Sequence, residues 1–142
     1  MFQRILIPID SSQCSQAAAQ LAARLARAWG SHITFAYIYE GVATAEDTIL
    51  LEKFRQFTRH VPCLILEPMK NNLSETLIEL ANREATELIL IGVHAHAKLE
   101  REVLDGVAKS ISAQAKIPVL IVPVETKKIG FEARWAGAVM PV

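Results

Sequence analysis

Glu87-Leu88-Ile89-Leu90-Ile91-Gly92, the polar loop Val93 to Lys98, and Ile117-Pro118-Val119-Leu120-Ile121-Val122-Pro123 decide the fold. Between loop and final run, Val103, Val107, Ile111 and Ala115 recur every fourth residue, the spacing of one face of a helix roughly four turns long. Strand, glycine, loop, helix, strand is a βαβ unit. Its strands are buried on both faces of a parallel sheet and therefore read as unbroken apolar runs. The loop that leaves such a strand lies at the carboxyl edge of the sheet, where open α/β folds take their ligands.

Working outward, Ile5-Leu6-Ile7-Pro8-Ile9 reads as a first strand that stops at the turn and cap residues Asp10-Ser11-Ser12. Ala18, Leu21, Ala22, Leu25 and Trp29 then mark one face of a helix over Gln13 to Trp29, closed by Gly30. Ile33 to Tyr39 is a second strand and Gly41 to Asp47 a loop. A second helix is expected over Thr48 to His60, with Leu50, Leu51, Phe54, Phe57 and Val61 inward. Cys63 to Leu66 is a third strand terminated by Pro68. A third helix runs over Leu73 to Glu84, capped by Asn72 or Ser74.

Five strands alternating with four helices require an α/β fold. The simplest arrangement with right-handed crossovers is a doubly wound five-stranded parallel sheet, order 3-2-1-4-5, with helices on both faces. That order sets strands one and four side by side and brings Asp10 next to Gly92. The α/β domain is expected over residues 1–124, followed by a C-terminal tail, 125–142, whose Phe131 and Trp135 favour an arm packed on the domain or on a partner.

Composition narrows the function. A length of 142 residues with 51% hydrophobic content fits one domain with a full core. Fifteen basic and fifteen acidic residues give a net charge of +0, so no global field draws the chain to nucleic acid or to an anionic membrane. No apolar run reaches the length of a membrane span, and Met1 to Arg4 lead straight into a strand without the pattern of a signal peptide, so a cytoplasmic location is expected. Cys14 and Cys63 lack CxxC spacing and are expected to be two buried thiols.

His94 and His96 share the loop after strand four, but a metal site wants a third or fourth ligand, so they read as surface histidines. No serine lies in a GxSxG elbow, and Cys14 falls inside a helix, so no catalytic residue is assigned. A response-regulator reading needs a phosphoacceptor after strand three, where this chain has Glu67-Pro68. Asp10 has two readings: it caps the first helix, a task Ser11 or Ser12 can also perform, or it accepts hydrogen bonds from a base or ribose.

Taken together, Ile5 to Ser12, Glu87 to Gly92 and Ile117 to Pro123 closely resemble the universal stress protein family over residues 4–123. The resemblance implies the doubly wound fold, a homodimer through the last strand, Val119 to Val122, and a regulatory role in stress physiology exerted through a protein partner or a small ligand. One branch of the family binds ATP through a glycine, two residues, a second glycine, nine residues, and a third glycine followed by Ser or Thr. Here Gly92 matches the first glycine, while Ala95, Asp105 and Gly106 stand at the second, the third and the hydroxyl position. Glycines let backbone N–H groups approach phosphate. A carboxylate at Asp105 opposes that phosphate by something on the order of 1 kcal/mol, and Glu100 and Glu102 add to it. Lys98 and Arg101 offset part of this.

On the adenine side, Pro8, Asp10, Ile38 and Ile91 fall where the family surrounds base and ribose. The expected cleft therefore comprises Pro8, Asp10, Ile38, Ile91, Gly92, Ala95, Asp105 and Gly106. A base and ribose fit it better than a triphosphate, and the ligand itself is left open. The leading expectation is a regulator acting through a partner or a small ligand without canonical ATP binding. The first alternative is an ATP-binding protein with slow hydrolysis or phosphotransfer, the second a sensor of a different adenine-containing metabolite.

Overall fold

The computed structural model describes residues 1–94 and 103–124, without the side chains of residues 94 and 103–105. The strands are β1 Arg4–Pro8, β2 His32–Tyr39, β3 Cys63–Pro68, β4 Leu88–His94 and β5 Val119–Val124. The helices are α1 Gln13–Trp29, α2 Ala45–Lys53, α3 Leu73–Arg83 and α4 Val103–Gln114. Every strand pair is parallel and the order is β3-β2-β1-β4-β5, as the sequence implies. β1 and β4 are neighbours, with Ile5 opposite Leu88 and Leu6 opposite Ile89.

Successive strand residues point to opposite faces, and both faces are covered. Ile5, Ile7, Leu88 and Leu90 pack with Ala18 and Ala22 of α1 and with Leu51 of α2. Leu6, Ile89 and Ile91 pack with Leu77 and Leu80 of α3 and with Ile111 of α4. Two cores on two faces are the reason these strands carry no polar alternation.

α1 is held at both ends by local chemistry. The Ser12 hydroxyl accepts from the Ser15 N–H, and Gly30 closes the helix in the left-handed region at φ 70°, its N–H donating to Ala26 O. The alanines of its inner face allow close approach to β4. A Cβ built on Gly92 would stand 2.2 Å from the Cys14 carbonyl oxygen and 3.2 Å from Ala18 Cβ, so only glycine fits at that crossing.

Three expectations need correction. The second helix is shifted and shorter: α2 starts at Ala45 and ends at Lys53, and a 3-10 turn, Phe54–Phe57, follows. Thr44 caps it in a reciprocal box with Asp47, a pattern stronger than the hydrophobic spacing that pointed to Thr48. Leu51 and Phe54 are buried as expected, but Val61 is 84% exposed; the chain is already extended at Thr58, and Pro62 keeps the preceding residue out of helix. Cys14 is buried, but Cys63 is exposed, because it opens β3, an edge strand. β3 also continues to Pro68, a residue an edge strand tolerates because one of its sides needs no N–H.

The same edge carries Glu67, 8% exposed, at the carboxyl end of β3. Arg83 at the end of α3 grips it with two nitrogens, at 2.8 and 3.1 Å. This fork holds the Glu67 carboxyl below its ordinary value, against the opposing effect of burial.

Candidate functional site at the carboxyl edge of the sheet

β1 and β2 end side by side, and the chain leaving β2 turns into α2, so the carboxyl edge of the sheet opens into a cleft of about 530 Å³. Pro8, Ala36 and Ile38 form its apolar floor from the strands, with Met69 just past β3 and Leu73 at the start of α3 beside them. Asp10, Glu40, Glu46 and Asp47 line it with carboxylates, and no lysine or arginine joins them among the described residues.

Asp10 is fixed by the turn between β1 and α1. One carboxylate oxygen, Oδ1, accepts from the Ser12 N–H at 2.8 Å and from the Ser15 hydroxyl at 2.9 Å. The Ser15 hydroxyl in turn accepts from the Asp10 N–H at 2.8 Å. Ser12 caps α1 and Asp10 braces the turn, which leaves Oδ2 without a protein donor among the described residues. An acceptor held in one place is what recognition of a hydroxyl or amine requires.

Asp47 is anchored as well. Its Oδ2 accepts from the Thr44 N–H at 2.9 Å, and its own N–H donates to Thr44 Oγ1 at 3.2 Å. The Tyr37 hydroxyl also meets Asp47. Partial burial raises the phenol above its ordinary value, and the Asp47 charge and hydrogen bond raise it further, so Tyr37 is a protonated donor throughout the neutral range.

Of the residues expected to form the cleft, Pro8, Asp10 and Ile38 line it. Ile91 is fully buried in the core beneath α3 and α4 and does not line the cavity. Gly92 is committed to the crossing with α1. Asp105 and Gly106 fall within α4, where Gly106 faces open space. Ala95, His96, Lys98, Glu100, Arg101 and Glu102 lie outside the described residues, as do the side chains of His94 and Asp105 and the tail from residue 125. Among the described residues no three His, Cys, Asp or Glu side chains gather as a metal site, and no helix is long and apolar enough to cross a membrane.

The sequence reading missed Tyr37, Glu40, Glu46 and Asp47. The loop after β2 reaches the same carboxyl edge as the loop after β4, and the Thr44-x-x-Asp47 box marks where it ends. Both signals were readable.

This geometry has relatives. The universal stress protein family profile matches residues 1–61 and 58–123. None of the curated proteins matches the chain. Among solved structures, a universal stress protein in complex with cAMP aligns at 21% identity with a TM-score of 0.69, covering 85% of this chain and 96% of its own. A family protein from Burkholderia pseudomallei aligns at 22% identity and 0.63, with coverages of 86% and 96%. The universal stress protein from Archaeoglobus fulgidus in complex with dAMP aligns at 18% and 0.65, with coverages of 84% and 97%. The structural likeness carries the fold, and the profile match spans nearly all of the sheet and its helices: the chain belongs to the universal stress protein family.

Proposed function

We propose that the cleft holds the base and ribose of an adenine-containing metabolite, and that the protein acts in the cytoplasm as a homodimeric regulator, through ligand or partner binding and without turnover. The observation that carries this reading is the cleft beside the β1–α1 turn, where apolar Pro8 and Ile38 flank the braced carboxylate of Asp10. An apolar wall suits a flat base, and a fixed acceptor suits a ribose hydroxyl or an exocyclic amine. Relatives of the same fold were solved with cAMP and with dAMP. Four lining carboxylates with no lining cation among the described residues oppose a triphosphate on this side of the cleft.

The dimer is supported by β5, an edge strand on which Leu120 and Ile121 are each 38% exposed. Pairing Val119 to Val122 with a second copy covers that edge.

Thermal denaturation with adenosine, AMP, cAMP and MgATP tests the ligand. A compound present at ~100 times its dissociation constant adds about 2.7 kcal/mol and raises the melting temperature by several degrees. A nucleoside or monophosphate should produce this shift. A shift confined to MgATP favours the family's triphosphate mode, and no shift with any of the four removes the ligand.

A further inference from the structure

At the opposite, amino-terminal edge of the sheet, two recesses of about 410 and 210 Å³ share Thr58 and His60. The first lies between the α1–β2 turn and the segment entering β3 and is lined by His32. The second lies between the end of α1 and the 3-10 turn and is lined by Arg27 and Arg59. No aspartate or glutamate lines either recess, whereas every charged residue lining the carboxyl-edge cleft is acidic. The neutral net charge therefore conceals an acidic cleft at one edge and a basic recess at the other.

Two of the six described arginines are paired with carboxylates; Arg4 and Arg24, like the two at this recess, have no such partner among the described residues. Arg55 is held by Glu52 and Arg83 by Glu67 and Glu84. Arg27 and Arg59 have no carboxylate partner among the described residues, although they face the same 210 Å³ recess. The negative end of the α1 dipole accounts for a cation at Arg27, in its last turn. It does not account for Arg59 and His60, which the hydrogen bond from Thr58 Oγ1 to His60 O and the following Pro62 set on a defined turn. Like charges converging on one concavity repel until an anion enters.

We infer that this groove is a second binding site, for a small phosphorylated anion held between Arg27 and Arg59 with His60 and Thr58 as further donors. A guanidinium fork matches carboxylate and phosphate alike, but a phosphoryl group carries three oxygens on one centre and can meet two forks at once, where each planar carboxylate of a flexible chain offers two. The inference is independent of what occupies the cleft at the other edge.

Amide chemical-shift titration of the full chain with inorganic pyrophosphate, and with citrate as a carboxylate control, tests it at low ionic strength. Perturbations are expected at residues 30–33 and 56–62, with citrate weaker. The exposed pair Arg27→Gln and Arg59→Gln together should weaken pyrophosphate by about tenfold or more and leave the melting temperature unchanged. Shifts absent from these residues, equal binding by the double variant, or citrate binding as tightly as pyrophosphate would each overturn the assignment. Adenosine titrated in the same samples should move the cleft residues in wild type and double variant alike, so that failure at one edge is readable separately from failure at the other.

Discussion

Gly92 and Cys14 touch backbone to backbone: no room for a side-chain carbon exists between the end of β4 and the first turn of α1. The glycine that resembles the start of a phosphate loop thus has a packing duty of its own. Gly92→Ala forces the helix away from the sheet and should cost about 3 kcal/mol in the ligand-free protein. Urea denaturation measures it. A variant as stable as wild type, impaired only in ligand binding, would contradict the packing role.

Asp10 combines two jobs that substitution can separate. Asp10→Ala removes the acceptor for the Ser12 N–H and the Ser15 hydroxyl and should destabilise by about 1 to 2 kcal/mol. Asp10→Asn keeps an oxygen for those donors while replacing the acceptor Oδ2 with an amide NH2, a donor. Its unfolding midpoint should stay close to wild type while nucleoside affinity falls about tenfold or more. Paired denaturation and calorimetric titrations distinguish the two.

The fork between Glu67 and Arg83 predicts a pH dependence. Because the folded carboxyl titrates below its unfolded value, the pair contributes stability that is fully present above the unfolded glutamate value, about 4.3, and is lost as pH falls through the folded one. Arg83→Met should therefore destabilise the protein at neutral pH, mostly by leaving the Glu67 carboxylate without its partner. The difference from wild type should shrink towards pH about 3. Arg83 is half exposed and its contact with Glu84 at 3.6 Å is a surface pair, so that contact adds little. Stability curves of both proteins across acid pH provide the check; a gap that widens on acidification would refute the assignment.

β5 predicts assembly. Ile121→Glu places a charge on the open edge and should convert a dimer to a monomer in sedimentation equilibrium while the far-ultraviolet spectrum is retained. Unchanged mass would place any dimer contact elsewhere.

Most of the fold was legible because β1 and β4 are buried on both faces, β5 is an unbroken apolar run although it is a half-open edge, and α1 has a sharp cap at each end. Ser12 and Gly30 bound that helix where the sequence put it. α2 was misplaced because its apolar spacing runs on through Phe54 and Phe57, although the backbone tightens into a 3-10 turn there. A box formed by Thr44 and Asp47 is short and polar, and it lost to the longer hydrophobic pattern. The site was half legible. Pro8, Asp10 and Ile38 line the cleft, while Ile91 shares its face of the sheet with Ala36 and Ile38 but is covered by α3 and α4, which the strand pattern alone does not reveal. Tyr37 and Asp47 are marked in the sequence only by the short Thr44-x-x-Asp47 box, with no glycine signature of the kind that follows β4.

A carboxyl-edge cleft that takes a base and ribose and not a triphosphate has a decisive signature in equilibrium dialysis of the full chain against labelled adenosine, cAMP and MgATP, with Asp10→Asn in parallel. Adenosine or cAMP should bind saturably, more tightly than MgATP, and more weakly in the variant. MgATP binding tighter than either, and lost in Asp10→Asn, would contradict that preference.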